Sequence, residues 1–344
     1  MSWGLIARSE PHRGLGVMCY DAFVKLKPDK VLVLDATERG SKDQTPERYG
    51  PNATHCRISD LELIVAKWMQ GLDTILTFET PYWPGLFALS ATLGVRTVMV
   101  VMPEYHPVGR SDRQPDLLLN PSPWWPHSMP APDVCWWPVP DVKGRLRTEA
   151  KTFLHPAGAP AKSDRAGTGI LLRALPYITE PVKIIVRSQV NANPDFDFHA
   201  ASKASCVELD VRIEDRRDHL SIYDEADVAI LPRRYAGLSL PLWESQAHGL
   251  PAITLDRQPE RHIVPANLRL PASIVNRMNH LGGPVPIYGA DPRDLADKIN
   301  LLASSPDLTK EASLAALSWA EQHSWNWLGP AWRQISGDLM CIQR

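Results

Sequence analysis

Two arginines, a glycine, a proline and a glutamate within one short stretch, Leu231 to Leu255, have the types and spacing to hold a nucleotide. Arg233, Arg234, Tyr235, Gly237 and Leu238 lie in a loop that follows the apolar run Asp227-Val-Ala-Ile-Leu231. A helix then opens with Pro241 in its first turn, where a missing N–H costs nothing, and stops at Gly249 before the strand Ala252–Leu255. Free amides at a helix start together with guanidinium groups suit a phosphate. Glu244, one turn inside that helix, is placed to accept hydrogen bonds from a ribose, because the apolar Leu240, Leu242, Trp243, Ala247 and Leu250 leave it little polar face. The combination points to a nucleoside diphosphate.

A second constellation, Phe153 to Leu175, sets His155 and Gly158 just past a strand, then Arg165, Gly167 and Thr168 immediately before a helix. A cation and helix-start amides again converge, although Asp164-Arg165 alone would equally well cap a surface helix. Arg187 and Gln189 end the next strand, where open α/β sheets bind ligands, or form a solvated strand end. Toward the N-terminus Arg13-Gly14-Leu15-Gly16 separates a first strand from a first helix, flanked by Arg8, Glu10 and His12 as candidates to meet an acceptor. Cys19 occupies the third glycine position of a dinucleotide fingerprint, which disfavours a nicotinamide cofactor. Glu79 and the pair Glu104 and His106 follow further strands and offer groups to orient or deprotonate an acceptor hydroxyl, or to pair with Arg8, Arg13 or Arg110. Asp195-Phe196-Asp197 is a D-x-D string of the metal-holding kind, but its polar setting reads as a surface loop, so no metal site is assigned.

The elements that must carry these groups alternate short apolar runs with helical stretches, the pattern of parallel-sheet α/β domains. Strands are expected at about 3–7, 30–34, 74–78, 97–101 and 116–119, with helices to about 27, at 61–71 and at 85–93. The second half restarts with a strand at 153–154, a helix at 168–175, and strands at 182–186, 206–211, 227–231 and 252–255; helices are expected at 292–303, 309–322 and 326–340. The division is 1–145, 146–322 and a terminal helix over 323–344, the first two domains being Rossmann-like. Trp124, Trp125, Trp136 and Trp137 lie in a Pro-rich crossing segment, where packing is a better reading than stacking on a base.

A formal charge of −2 announces no global basic field, so net charge does not name a nucleic-acid partner. Five scattered cysteines without C-x-x-C spacing argue against a disulfide framework and a zinc knuckle, and the reducing cytoplasm is the expected compartment. No stretch reaches the roughly 18 apolar residues of a membrane span.

The stretch containing Pro232, Tyr235, Gly237, Leu240-Pro241, Glu244, Gly249 and Pro251 resembles the donor motif of GT-B glycosyltransferases, especially the retaining family four; short phage-encoded members are similar to it in H-P-x-G … D-R-x-G-T as well. The resemblance implies two Rossmann-like domains facing each other across a cleft, with the C-terminal helix crossing back to the first. It implies transfer of a sugar from a nucleotide diphosphate sugar, without cofactor or metal, to an acceptor such as hydroxymethylated pyrimidine in phage DNA. A protein or glycan acceptor, or a sugar-nucleotide epimerase of the same fold, is the alternative. Arg165, His155, Gly158, Thr168, Arg187, Gln189, Arg233, Arg234, Tyr235, Gly237, Leu238 and Glu244 would then face the donor. Arg13, Gly14, Gly16 and Glu79 would face the acceptor, and Glu104, His106 and Arg165 would be catalytic. One departure is plain: Ala236 stands where the family has the first of two glutamates, eight residues before Glu244.

Overall fold

The computed structural model of the chain describes residues 2–11, 13–37, 44–105, 111–127, 130–158, 164–189, 196, 198, 206–214, 218–280 and 283–337. They form two compact units, Met1–Pro138 with His280–Gly283 and Trp325–Arg344, and Val139–Asn279 with Pro284–Ser324.

The first unit is a seven-stranded parallel sheet built from β1 (Trp3–Arg8), β2 (Lys30–Asp35), β3 (Thr54–Arg57), β4 (Thr74–Phe78), β5 (Arg96–Val100), β6 (Leu117–Asn120) and β7 (Asp133–Val134). Its order is β3-β2-β1-β4-β5-β6-β7, so the chain winds outward from β1 and then returns to the other side at β4. β4 is buried along its whole length, as a central strand covered on both faces must be. Helices α1 (Gly14–Leu26), α2 (Leu61–Trp68) and α3 (Leu86–Thr92) supply the crossovers. Gly16 is required for packing: a Cβ there would meet the Glu10 carbonyl oxygen at 1.7 Å.

The second unit repeats the plan with β8 (Thr152–Gly158), β9 (Lys183–Ser188), β10 (Glu208–Ile213), β11 (Val228–Leu231), β12 (Ala252–Leu255) and β13 (Arg269–Leu270). Their order, β10-β9-β8-β11-β12-β13, again places the reversal beside the first strand of the unit. The helices are α4 (Thr168–Ala174), α5 (Leu240–Ala247), α6 (Pro292–Ser304) and α7 (Pro306–Gln322), and a separate two-stranded sheet joins β14 (Ser273–His280) to β15 (Gly283–Gly289). Both Rossmann-like sheets expected from the apolar runs are present.

Five strands, β3, β7, β13, β14 and β15, escaped the apolar pattern. β3 has one buried residue in four and lies at a sheet edge, β13 is two residues long, and β14 is largely solvent-exposed, so none of these three carries a continuous apolar run.

The terminal helix α8 (Trp325–Gly337) belongs to the first unit and packs against α1 and β4. Trp325, Trp332 and Ile335 fall on its buried face, whereas Trp327 is exposed. The Trp137 ring stands edge-on to Phe78, Trp325 and Trp332 at 5.5, 5.4 and 5.0 Å, and the Trp332 Nε1–H donates to the Trp136 carbonyl at 2.9 Å. Trp137 is therefore core, not a platform for a base.

Replacing Trp332 by Ala removes a fully buried ring and should cost about 3–5 kcal/mol. Urea titration of Trp332→Ala is expected to give a much lower midpoint than wild type, and an unchanged midpoint would show that α8 is not part of the first core.

Candidate anion and nucleotide site

The two sequence constellations meet at the point where the second sheet reverses. β8 and β11 are parallel neighbours, with Val228 opposite Phe153 and Ala229 opposite Leu154, and the loops that leave their carboxyl ends run to opposite sides. A crevice at such a reversal is where open α/β sheets take ligands. His155 braces it: the Nδ1–H donates to the Ile230 carbonyl at 2.9 Å, and Nε2 accepts from the Thr168 hydroxyl at 2.9 Å. Burial holds the imidazole down at about 4, so it is neutral at physiological pH. His155 and Thr168 were expected on the donor; their polar atoms are instead spent on each other and on β11. Gly167, at φ 78°, brings the next loop in, since a Cβ there would lie 2.1 Å from the Pro232 carbonyl oxygen. The Arg234 amide donates to the Arg165 carbonyl at 3.0 Å and closes the contact.

Three guanidinium groups crowd this junction. The Arg165 Nε–H donates to the Tyr235 carbonyl at 3.2 Å, and its guanidinium lies 5.2 Å from the centroid of the buried Tyr235 ring. Arg233 is pushed down to about 10, first by burial and then by Arg165, with Arg257 adding to the repulsion and Tyr223 and Glu244 opposing it. Among the described residues the Arg233 side chain forms no hydrogen bond and no salt bridge, and its Nε is buried without a partner. Arg234 diverges from it. Its Nε–H donates to the Tyr288 carbonyl at 3.1 Å, and it lines a separate cavity of about 770 Å³ with Asp164, Arg173 and Ser273.

Downstream, Gly237, Leu238 and the Ser239 N-cap lead into α5, with Pro241 in its first turn. The Ser239 hydroxyl is buried and lacks a partner among the described residues. Glu244 is buried rather than solvated; it accepts from the Tyr223 hydroxyl at 2.6 Å, and His219 Nε2 lies 3.3 Å from its other oxygen. A ribose would have to use the remaining lone pairs of that carboxylate.

The remaining expected residues are spread over both units. Arg187 is buried and pairs with Glu214 and, at 2.6 Å, with Glu225, so its charge is offset within the protein. The Gln189 amide donates to the Gly158 carbonyl at 2.9 Å, and Gly158 has φ 64°, so this loop is shaped by backbone. In the first unit Arg13 and Gly14 are exposed at the start of α1, while Gly16 is buried and its carbonyl accepts from Arg48 at 2.7 Å. Glu79 follows β4 with φ 68°, a left-handed backbone that a non-glycine residue adopts only at a cost, and Glu104 is buried after β5. Glu104 and Arg165 belong to different units. His12, His106, Asp195 and Asp197 lie outside the described residues. Among the described residues no cluster of three or more His, Cys, Asp or Glu side chains is placed to hold a metal, and no helix is long and apolar enough to cross a membrane.

Comparisons with known proteins agree with this geometry. Residues 157–304 match the family described as glycosyl transferases group 1. The fold is similar to that of HepE from Anabaena in complex with UDP, at 13% identity and TM-score 0.70, covering 98% of this chain and 100% of that one. It is similar to the lipopolysaccharide outer core galactosyltransferase WaaB, at 10% identity and TM-score 0.64, covering 97% and 98%. A third similar structure is the sucrose-phosphate synthase of Thermosynechococcus elongatus, at 12% identity and TM-score 0.63, covering 97% and 99%. No curated protein sequence matches. The two Rossmann-like units thus have the GT-B fold.

Sequence reading missed Tyr223, Arg257 and Glu260. Tyr223 lies in a short 3-10 turn, Leu220–Glu225, and the other two follow β12 in a stretch without a motif. A buried-type charge pair three residues apart, Arg257 and Glu260, was the one available signal.

The neutral His155 gives a pH prediction. Its folded value of about 4 lies below the ordinary 6.5, so it contributes no penalty above pH 6.5 and destabilises the fold progressively as pH falls toward 4. Urea midpoints of His155→Gln should fall less than those of wild type between pH 6.5 and 4; parallel pH dependences would contradict the neutral brace.

Proposed function

We propose that the protein is a glycosyltransferase whose donor is a nucleoside diphosphate sugar bound by the second unit. The observation that carries this reading is Arg233: a partly buried cation with no hydrogen-bonding partner among the described residues, crowded by Arg165 and Arg257 at a sheet reversal. An anion placed there relieves the repulsion and supplies the acceptors that Arg233 lacks. The match of residues 157–304 and the GT-B fold support reading that anion as the diphosphate of a sugar donor.

In this reading Arg233 and Arg165, with the unspent Ser239 hydroxyl, stabilise charge as the diphosphate departs. Glu244, fixed by Tyr223, receives the ribose. Tyr235 and the Gly237-Leu238 backbone shape the pocket, and Gly158 and Gln189 border it. No metal is needed to neutralise the leaving group. Glu79 and Glu104, at the strand ends of the first unit, serve the acceptor. A hydroxymethylated pyrimidine in DNA, a glycan and a protein are the acceptors to be compared, and the reducing cytoplasm is the compartment in which we place the reaction.

The test is a panel of nucleotide sugars incubated with hydroxymethylated DNA, unmodified DNA, glycans and proteins in excess EDTA, with products read by mass spectrometry. Transfer from at least one donor is expected; activity seen only after Mn²⁺ or Mg²⁺ is restored would overturn the metal-free reading. Hydrolysis or isomerisation of the donor without transfer to any acceptor would favour an epimerase.

Arg233→Ala and Arg165→Ala should each lower kcat at least tenfold, more than they raise the donor KM, because their interactions strengthen as negative charge develops. Wild-type kcat in both variants would place the diphosphate elsewhere.

A further inference from the structure

Arg257 sits beneath the proposed anion loop with most of its donors spent on protein groups. Its Nε–H donates to the Arg233 carbonyl at 3.1 Å, its Nη1 group to the Ala236 carbonyl at 3.3 Å and the Gln258 carbonyl at 2.6 Å, and its Nη2 to Glu260 at 2.6 Å. Both side chains of the ion pair are almost fully buried, at 1% and 2% exposure. Four of its five N–H donors are thereby committed to protein acceptors. Arg257 holds both ends of the segment Arg233–Ala236, the segment from which the unpartnered Arg233 side chain projects.

The opposite side of that segment is held independently. The Tyr288 amide donates to the Arg234 carbonyl at 2.9 Å, and the Arg234 side chain returns to the Tyr288 carbonyl. The loop is therefore clamped between the residues after β12 and strand β15, with Arg165 bonded to Arg234 and Tyr235 between them, and among the described residues it is the Arg257 side chain that donates to the Arg233 and Ala236 carbonyls. Ala236 contributes its carbonyl to this arrangement, a role that does not depend on its side chain.

We propose that Arg257, anchored by Glu260, is a positioning residue that sets where the Arg233 guanidinium meets the donor diphosphate. This rests on the reading of the second unit as a diphosphate site. Lysine cannot replace it, since one ammonium with three donors cannot reach four acceptors spread over a planar fork. Glutamine at 260 keeps one acceptor oxygen in a side chain of the same shape, while losing the charge and replacing the second oxygen with an NH2 donor.

Calorimetry with UDP and with inorganic pyrophosphate on the full chain tests the proposal, beside uridine as a probe lacking phosphates. Arg257→Lys is expected to weaken UDP and pyrophosphate at least tenfold while changing uridine affinity less than twofold, and to lower kcat more than it raises the UDP-sugar KM, the same split as Arg233→Ala. Glu260→Gln should weaken UDP three- to tenfold with its fold intact, which keeps the proposal testable if Arg257→Lys does not fold. Equal losses for UDP and uridine would indicate general loosening and overturn the proposal, as would wild-type affinity for UDP in either folded variant. If wild-type protein binds neither UDP nor pyrophosphate, the diphosphate reading fails and the positioning role fails with it; wild-type binding with unaffected variants removes the positioning role alone.

Discussion

The arrangement at the second sheet's reversal turns on the Arg233 guanidinium, which forms no salt bridge among the described residues and is held close to Arg165. Arg233 and Arg165 are brought together by backbone contacts: Gly167 against Pro232, and the Arg234 amide on the Arg165 carbonyl. Both contacts are made by the backbone, and the repulsion between the guanidiniums is only partly offset by Glu244. Burial makes the cost larger, because a low-dielectric setting weakens screening. A site with that deficit suits an anion, which in the proposed reading is the diphosphate of the donor.

The rest of the second unit keeps this deficit from being cancelled. Glu244 partly opposes the charge of Arg233, but its contacts are with Tyr223 and His219. Glu260 is committed to Arg257, and Glu214 and Glu225 to Arg187. Burial raises the Glu260 carboxyl to about 7 against the opposing pull of Arg257. In the first unit the constraint is steric instead. The approach of Gly16 to the Glu10 carbonyl and the cluster around Trp137 fix α1 and α8 against β1 and β4 without any buried ion pair in that cluster.

The two parallel sheets were legible because their central strands are continuous apolar runs; Thr74–Phe78 and Ala252–Leu255 coincide with the expected ranges. The anion loops were legible because glycine, proline and arginine have few reasons to occur together except at a tight, charged turn. What the sequence hid was partnership. Arg187 and Arg233 look alike as strand-end arginines, yet one is paired with two carboxylates and the other has no such pair, a difference set by residues 27 to 38 positions away. His155 reads as a ligand donor until both ring nitrogens are accounted for. Glu244 needed the buried Tyr223 hydroxyl, contributed by a turn without periodicity, before its setting could be understood. Edge strands such as Thr54–Arg57 escape for the opposite reason, since an exposed edge places little demand on side-chain pattern.

A crystal structure of the protein soaked with UDP tests the central claim directly. The account predicts diphosphate oxygens within about 3 Å of the Arg233 and Arg165 guanidinium nitrogens. Diphosphate bound instead in the cavity beside Arg234 and Asp164, with Arg233 still unpaired, would contradict it.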